Sequence, residues 1–334
     1  MFKSFAAVAL AGVVSAVDLQ TFEFMQYVSK FGKSYTNVEE FNLRLSLFTV
    51  RDKIIKEWNA DFTNTSRMGH NFLSDWTEAE QAKLRGLAGE PKERTAEEFK
   101  FTNQALPSDV NWVTAGNVGP VKDQGRCGSC WAFSATGTVE SSVSIATGAA
   151  PGNYSEQQLV SCSSAYGNLG CSGGWYYWAW DYLEVPSQAQ NYGASYPYTS
   201  GAAGVTGDCD TKLASEGHIT VASYVQVGTT NDDIKAALVI KPVSVAIDAA
   251  KPAFQSYTSG VLTAGCGVRL DHAVIAVGYG TDAVGGAYFL VRNSWGSSWG
   301  DNGYVKIGQS PTGDAPGICG INKAVYYPIT NAPQ

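Results

Sequence analysis

The segment from Gln124 to Phe133 holds the residues whose types and spacing best suit covalent chemistry. It reads Q-G-R-C-G-S-C-W-A-F, with two residues between Cys127 and Cys130. Apolar residues recur after it at helical spacing, and Gly148 follows where a helix commonly ends. Cys130 therefore falls in the first turn of a predicted helix, where the helix dipole favours the thiolate over the thiol. Because the thiolate is the reactive form of cysteine, this position suits a nucleophile.

A cysteine pair of this spacing also occurs in zinc sites and in redox motifs. A structural zinc site needs a second ligand pair of similar spacing, and the sequence contains none. A thioredoxin-like pair belongs to a reduced cytosolic fold, whereas this chain opens with the pattern of a secretion signal. Lys3 is followed by an apolar run over residues 5–14 and by small residues up to Ala16. We expect residues 1–16 to be a signal peptide and the protein to enter an oxidising compartment.

Charge and cysteine divide the chain into two units. Residues 1–105 carry 13 Lys/Arg and 14 Asp/Glu and no cysteine, whereas residues 106–334 carry 10 and 16 and all seven cysteines. An odd number of cysteines in a secreted protein leaves one free thiol. The net charge of −7 argues against a nucleic-acid partner. No stretch after the signal is long enough for a membrane span, so no membrane association is expected.

Histidine is scarce, and this narrows the choice of a proton carrier. His70 lies in the front unit, and His218 lies in a polar stretch that predicts an exposed side chain. His272 opens an alternating, strand-like run and lies 142 residues after Cys130. The neighbouring Asp271 would point to the opposite face of such a strand, so it is a poor candidate to orient the imidazole.

The C-G-S-C-W segment with a histidine at this separation resembles the nucleophile signature of the papain and cathepsin family. The resemblance implies an α+β, papain-like fold of two subdomains with a cleft between them. Its helical half would cover about 106–217, and its antiparallel, β-barrel-like half would cover about 218–334.

The resemblance also implies a chemistry. Cys130 and His272 would form a thiolate–imidazolium pair that hydrolyses peptide bonds through a thioester. Asn293, in the run N-S-W-G, would orient the imidazole, and Trp295 would shield that contact from water. The backbone N–H of Cys130 and the side-chain amide of Gln124 would bind the oxyanion. No cofactor and no metal are implied.

Along the cleft, the resemblance implies a surface for a polypeptide substrate. An apolar pocket with Ala324 at its floor would receive a bulky hydrophobic side chain two residues before the scissile bond. The carboxydipeptidases of the family carry paired histidines that this chain lacks, which favours endopeptidase action. The implied substrate-binding residues are Gly128, Ser129, Gly173, Gly174, Trp175, Tyr176, Ala246, Leu270, Asp271, Ala273, Trp295 and Ala324.

The front unit carries two further patterns. It reads as amphipathic helices from Thr21 to about Asn59, with one apolar face formed by Phe22, Phe24, Met25 and Val28. Within it, two runs resemble the motifs of cathepsin L-type pro-regions, with Arg51 at a position that is asparagine in the pattern and Leu73 at one that is phenylalanine. Residues 17–105 would then be an inhibitory propeptide of the I29 type, and the mature enzyme would begin close to Leu106. The matching positions are Glu40, Arg44, Phe48, Ile55 and Asn59 in the first motif, and Gly69, Asn71, Leu73 and Asp75 in the second.

Several further expectations come with the resemblance. Cys130 would be the free thiol, and the disulfides would join Cys127 to Cys171, Cys162 to Cys209 and Cys266 to Cys319. Cystatin-type inhibitors would be partners of a monomeric enzyme, found outside the cell or in a lysosome or vacuole. Asn64 and Asn153 begin glycosylation sequons.

Two rival functions remain open at this point. The chain could be an inactive, peptidase-like binding protein, or its front unit could be a peptidase inhibitor in its own right. The joint presence of Gln124, Cys130, His272 and Asn293 argues against the first. The front unit is fused to an intact peptidase pattern, so inhibition of its own peptidase is a simpler explanation than an independent inhibitor.

Overall fold

The structure of the protein is a computed structural model that describes residues 19–88, 97–99, 101 and 105–331. The predicted signal peptide lies outside these ranges. Within them, every helix is too short or too polar to cross a lipid bilayer.

Helices dominate the first two thirds of the described chain. Residues 105–129 reach the central helix, α4, through extended backbone and turns. The α-helices in the described ranges are α1 (Leu19–Lys30), α2 (Val38–Ala60), α3 (Glu78–Ala82), α4 (Cys130–Thr147), α5 (Glu156–Cys162), α6 (Tyr176–Leu183), α7 (Ser200–Ala203), α8 (Thr211–Ser215), α9 (Asn231–Ile240) and α10 (Pro252–Gln255).

Strands dominate the last third, and their order along the sheet is β1-β6-β9-β8-β7-β5-β10-β4-β2, with β3 pairing on β7. The pairs β6–β9 and β2–β4 are parallel and the other pairs are antiparallel. The strands are β1 (Ser66–Met68), β2 (Glu97–Glu98), β3 (Val110–Asn111), β4 (Thr220–Gln226), β5 (Val243–Ile247), β6 (Tyr257–Leu262), β7 (His272–Asp282), β8 (Gly286–Arg292), β9 (Tyr304–Gly308) and β10 (Val325–Asn331).

These elements confirm the predicted α+β fold with a helical half, a sheet half and a helical front unit. Helix α4 begins at Cys130 and ends at Gly148, whose φ of 69° is left-handed and therefore favours glycine. One buried cluster forms around α4 and α6, and a second forms between the sheet and α9. The contact of α4 with β7 joins the two halves and sets the ends of both elements in the same cleft.

Helices α1 and α2 pack around a third, aromatic core that includes Phe24, Tyr27 and Phe48. The predicted apolar face of α1 is therefore partly wrong, because Phe22 and Met25 are 52% and 49% exposed. Residues 22 and 24 are about 200° apart around a helix, so they cannot share one face. Phe24 and Tyr27, three positions apart, are the pair that the helix buries.

The two pro-region motifs meet at α3 and at the turn before it. Arg44 donates to both carboxylate oxygens of Glu80, at 2.6 and 2.7 Å, and also lies 3.6 Å from Glu40. The carboxylate of Asp75 accepts from Tyr27, Lys33 and Tyr35. These bonds hold α3 and the residues after it in place.

The front unit docks on the sheet half through backbone and side-chain contacts. Strand β1 extends the sheet by pairing with β6. Asn71 donates its side-chain amide to the carbonyl of Gln255 at 2.7 Å, and Arg51 donates to the Gln255 side-chain oxygen at 2.9 Å. Arg51, the departure from the family pattern, thus reaches across the seam between the two units.

Candidate active site

The sulfur of Cys130 lies at the bottom of the cleft, where the two halves meet. Its thiol is fully buried, with no exposed surface. The backbone N–H of Ala273 donates to it at 3.4 Å. The sulfur therefore lies against the start of strand β7, next to His272 in the sequence. The backbone N–H of Gly86, from the front unit, donates to it at 3.2 Å.

The imidazole of His272 is oriented by Asn293. Its Nε2 lies 2.8 Å from the Asn293 side-chain oxygen, which also accepts the backbone N–H of Ser294 at 2.8 Å. The ring of Trp295 covers the imidazole at a centroid distance of 4.9 Å. With Nε2–H donating to Asn293, the lone pair lies on Nδ1, which is buried and has no hydrogen-bond partner in the described part of the chain.

Burial keeps this pair neutral in the closed chain. It raises the pKa of the Cys130 thiol to about 11, although the N–H groups of Ala273 and Gly86 oppose the shift. Burial also lowers the pKa of His272 to about 4, against the favourable bond to Asn293. In the closed chain, desolvation therefore opposes the charged form of each group and works against the helix dipole at Cys130.

The side chain of Gln124 is fixed at both ends. Its amide nitrogen donates to the carbonyl of Leu84 at 2.9 Å and to that of Cys127 at 2.9 Å. Its oxygen accepts the hydroxyl of Ser294 at 2.7 Å. Sequence reasoning did not single out Ser294, although its place between Asn293 and Trp295 is a signal that could have drawn attention to it.

A segment of the front unit runs through the cleft from Leu84 to Ala88. The carbonyl of Gly86 accepts the N–H of Gly174 at 2.9 Å, and the N–H of Leu87 donates to the carbonyl of Asp271 at 3.1 Å. Leu87 and Gly174 form a parallel bridge. This segment of the front unit therefore already forms backbone hydrogen bonds with Gly174 and Asp271, and it covers the sulfur of Cys130.

Around Leu87 the cleft is apolar. Leu87 and Leu270 pack against the buried cluster that contains Ala246, Ala273 and Ala324. The structure thus brings the residues of the predicted pocket together, with an aliphatic side chain of the front unit against them.

Three residues predicted to bind substrate have buried side chains that already contact other residues of the mature domain. The Ser129 hydroxyl lies 2.7 Å from the Tyr198 hydroxyl and is buried. Tyr176 is buried and donates its hydroxyl to the carbonyl of Ala324 at 2.8 Å, behind the pocket floor. Trp175 is also buried and stacks on Tyr177 at 5.3 Å.

Gly128 lies against the segment in the cleft, because a Cβ on Gly86 would meet the Gly128 carbonyl oxygen. Gly173 faces the next part of the same segment, since its own added Cβ would meet Ala88. These close approaches explain why glycine occupies both sides of the segment.

Cys130 is a free thiol, and three disulfides hold the remaining cysteines as the resemblance implies. His218 is exposed as expected, and its ring lies 4.5 Å from that of Tyr192 in a tilted contact. Of the two sequons, Asn153 is exposed, whereas the Asn64 amide donates to the carbonyl of Trp58 at 3.0 Å. The disulfides are Cys127–Cys171, Cys162–Cys209 and Cys266–Cys319.

Together these features define a two-lobed enzyme whose cleft is closed by its own N-terminal unit. Residues 106–329 match the papain family cysteine protease profile, and residues 24–81 match the cathepsin propeptide inhibitor domain (I29). The chain belongs to the papain family of cysteine proteases. It carries its propeptide as an intramolecular inhibitor and acts on peptide substrates.

Relatives and solved structures agree over nearly the whole chain. The chain is 37% identical to digestive cysteine proteinase 2 of Homarus americanus, over 97% of this chain and 99% of that protein. It is 36% identical to germination-specific cysteine protease 1 of Arabidopsis thaliana, over 93% and 85%. Among solved structures, a recombinant stem bromelain precursor has a TM-score of 0.83 at 32% identity, covering 93% of this chain and 99% of that one. A digestive procathepsin L 3 from the larval midgut of Tenebrio molitor has a TM-score of 0.80 at 31% identity, covering 93% and 99%.

Proposed function

We propose that the mature protein is a cysteine endopeptidase in which Cys130 is the nucleophile and His272 the proton carrier. The observation that carries this proposal is the peptide already lying in the cleft. Its Leu84 carbonyl oxygen is 2.9 Å from the Gln124 amide, and its Gly86 N–H is 3.2 Å from the sulfur. A backbone can thus reach an amide donor and the sulfur at once.

The chemical steps follow from the roles of these groups. Once the cleft opens to solvent, the desolvation that keeps both groups neutral is relieved, and the proton of Cys130 passes to Nδ1 of His272. The thiolate attacks the substrate carbonyl carbon, and the oxyanion accepts hydrogen bonds from the Gln124 amide and the Cys130 N–H. The imidazolium protonates the departing amine, and the neutral ring then activates the water that hydrolyses the thioester.

Asn293 acts on this reaction by positioning His272. Its oxygen holds Nε2–H, which leaves the lone pair on Nδ1 to take the proton of the thiol, and the Ser294 N–H keeps that oxygen in place. Trp295 excludes water from the bond. Without these contacts the imidazole would sample other orientations and tautomers.

The substrate preference is for a bulky aliphatic or aromatic side chain two residues before the scissile bond. Leu87 of the propeptide supports this preference, because it packs against the large buried cluster that includes Ala246, Ala273 and Ala324 among its members. Gly128, Gly173 and Gly174 leave room for a substrate backbone where the propeptide segment now lies. A charged side chain would lose its hydration there without gaining a partner.

The protein is made as an autoinhibited zymogen that enters the secretory pathway and works outside the cell or in a lysosome or vacuole. The signal pattern over residues 1–16 and the three disulfides support an oxidising route. The mature enzyme is a monomer that begins close to Leu106 and binds cystatin-type inhibitors. Its exposed Asn153 is the better of the two sequons for a glycan.

Thiol labelling tests the proposed function. Burial raises the pKa of Cys130 to about 11, so the thiolate is disfavoured at pH 7 in the closed chain, and the sulfur itself is out of reach of solvent. We therefore expect a thiol-directed epoxide to label the intact zymogen at least about 100-fold more slowly than the enzyme processed at mildly acidic pH in reductant. Mass spectrometry measures the rates and locates the adduct. An adduct on any other residue, or no labelling after loss of the propeptide, would support an inactive binding protein instead.

Replacing Gln124 tests the oxyanion donor. Gln124→Ala is expected to lower kcat of the processed enzyme by about 10²–10³, because the amide stabilises charge that exists only in the transition state. A steady-state assay on a fluorogenic peptide measures this, with thermal unfolding as a check on the fold. An unchanged kcat removes Gln124 from the reaction.

A further inference from the structure

The hydroxyl of Tyr198 joins the two stretches of backbone that carry the proposed oxyanion donors. It donates to the carbonyl oxygen of Gln124 at 2.8 Å and lies 2.7 Å from the hydroxyl of Ser129. A phenol has one proton to give, and the Gln124 carbonyl takes it, so the Ser129 hydroxyl donates to the phenolic oxygen. One oxygen atom therefore holds both Gln124 and the residue before Cys130.

Ser129 is bound in an unusual way for its position. It directly precedes helix α4, where a serine commonly caps the helix by accepting a backbone N–H, yet its side chain makes no capping hydrogen bond. The hydroxyl bonds to Tyr198 instead. Because the carbonyl of Ser129 and the N–H of Cys130 belong to one planar peptide, a fixed Ser129 also limits the direction of that N–H.

The segment that carries Tyr198 is itself held in place. The side-chain oxygen of Gln157, which is buried on helix α5, accepts the backbone N–H groups of Thr199 and Ser200 at 2.8 and 3.0 Å. The ring of Tyr198 packs edge-on against Phe133 at a centroid distance of 4.9 Å. The phenolic oxygen thus has a fixed position from which to hold its two partners.

The same segment lies close against the loop that begins at Gln124. The carbonyl of Gly201 accepts the backbone N–H of Arg126 at 2.8 Å. An added Cβ on Gly201 would meet both the Tyr198 ring and the Gln124 carbonyl. The loop therefore has little room to shift toward Tyr198, and the hydroxyl prevents it from moving away.

These contacts lie within the mature domain, so they remain when the propeptide leaves. The Gln124 amide donates one hydrogen to the carbonyl of Cys127 and the other to the carbonyl of Leu84, both at 2.9 Å. Only the second bond is lost with the propeptide. One N–H of the amide then becomes available to the oxyanion, while its residue stays bound to Tyr198.

We propose that Tyr198 is a positioning residue of the mature enzyme, whose hydroxyl sets the Gln124 amide and the Cys130 N–H in the geometry that the oxyanion needs. This role rests on the endopeptidase function proposed above. Tyr198 itself touches neither the substrate nor the reacting atoms. Displaced donors stabilise the transition state less and leave binding of the substrate nearly unchanged.

Tyr198→Phe tests the proposal, since it removes the hydroxyl and keeps the ring against Phe133. The processed variant is expected to lose about tenfold in kcat on a fluorogenic peptide, with KM within about twofold of the wild type. Alkylation of Cys130 by iodoacetamide is expected to keep the wild-type rate, because that reaction forms no tetrahedral oxyanion. A parallel loss in alkylation would assign Tyr198 to the fold in general and overturn the proposal.

Tyr182→Phe is the matched control, because it removes another buried hydroxyl of the helical half, bonded to the Gln158 amide at 3.1 Å. Its kcat is expected to stay within about twofold of the wild type. In a chain that already carries Gln124→Ala, Tyr198→Phe is expected to cost at most about threefold more, because one of the two donors that it positions is gone.

An unchanged kcat in Tyr198→Phe, or a full tenfold loss in the Gln124→Ala background, would overturn the role of Tyr198 and leave the endopeptidase function intact. A tenfold loss in Tyr182→Phe would also overturn it, because the effect would then belong to any buried hydroxyl. If the processed wild-type enzyme failed to cleave the peptide, the proposed function itself would fail.

Discussion

A full-length chain with Cys130→Ala is expected to remain uncut and to show no peptidase activity. Removal of a nucleophile leaves only binding and oxyanion contacts, so the loss should be at least about 10⁴ in kcat. The fold should survive, because the sulfur contributes two weak hydrogen bonds from Gly86 and Ala273 and little packing volume. Gel analysis and mass spectrometry after incubation at mildly acidic pH in reductant measure processing, and a fluorogenic peptide measures activity.

Two controls make this result specific to the thiol. The exposed residue Ser215, on the short helix α8, can be changed to alanine with no expected effect on either readout. Mature wild-type enzyme added to the Cys130→Ala chain is expected to remove the propeptide, since the variant changes the cutting group and leaves the cut segment as it was. Self-processing of the variant at the wild-type rate would exclude Cys130 as the nucleophile.

The second large effect is expected at Gly86, where the variant Gly86→Ala should open the zymogen. An added Cβ would overlap the carbonyl oxygen of Gly128, whose backbone is held by the adjacent Cys127–Cys171 disulfide. The segment must then lift from the cleft and lose the bonds from Gly86 to the sulfur and from Gly174 to Gly86. At about 1 kcal/mol for each bond, this corresponds to roughly 30-fold more of the open form.

The measurement is the activity of the uncut chain on a small fluorogenic peptide at neutral pH, with its integrity followed by gel. Gly119→Ala is the matched control, because its added Cβ meets no atom closer than 3.5 Å. If the uncut Gly86→Ala chain were as inactive as the uncut wild-type chain, the segment from Leu84 to Ala88 would not be the element that blocks the cleft.

The residues that can be predicted from the sequence are those whose signal is local. The helix that begins at Cys130 and ends at Gly148 follows from apolar spacing and a terminal glycine, both of which act within a few turns of backbone. His272 at the start of a strand follows from alternation in the same way. The α+β fold and the propeptide came from resemblance in several short runs, which the matched profiles bear out.

Contacts between distant parts of the chain were beyond such reasoning. The bond from Ser294 to Gln124 joins residues 170 positions apart, and the pair of Arg85 with Asp271 joins the two units. The spacing of residues in the sequence does not predict such long-range contacts, because these depend on how the helices and strands pack against one another. The burial of Phe22 and Met25 could not be predicted either. Both residues are apolar, but both side chains are about half exposed on the folded helix.

From its sequence alone, this chain determines which groups are available and which short elements carry them: a thiol at a helix start, an imidazole at a strand start and an amide in the run N-S-W-G. The tertiary structure alone decides the state of those groups. It brings a propeptide segment across the sulfur, excludes water, and so holds the thiol and the imidazole neutral, because the cost of burying a charge depends on everything packed around it.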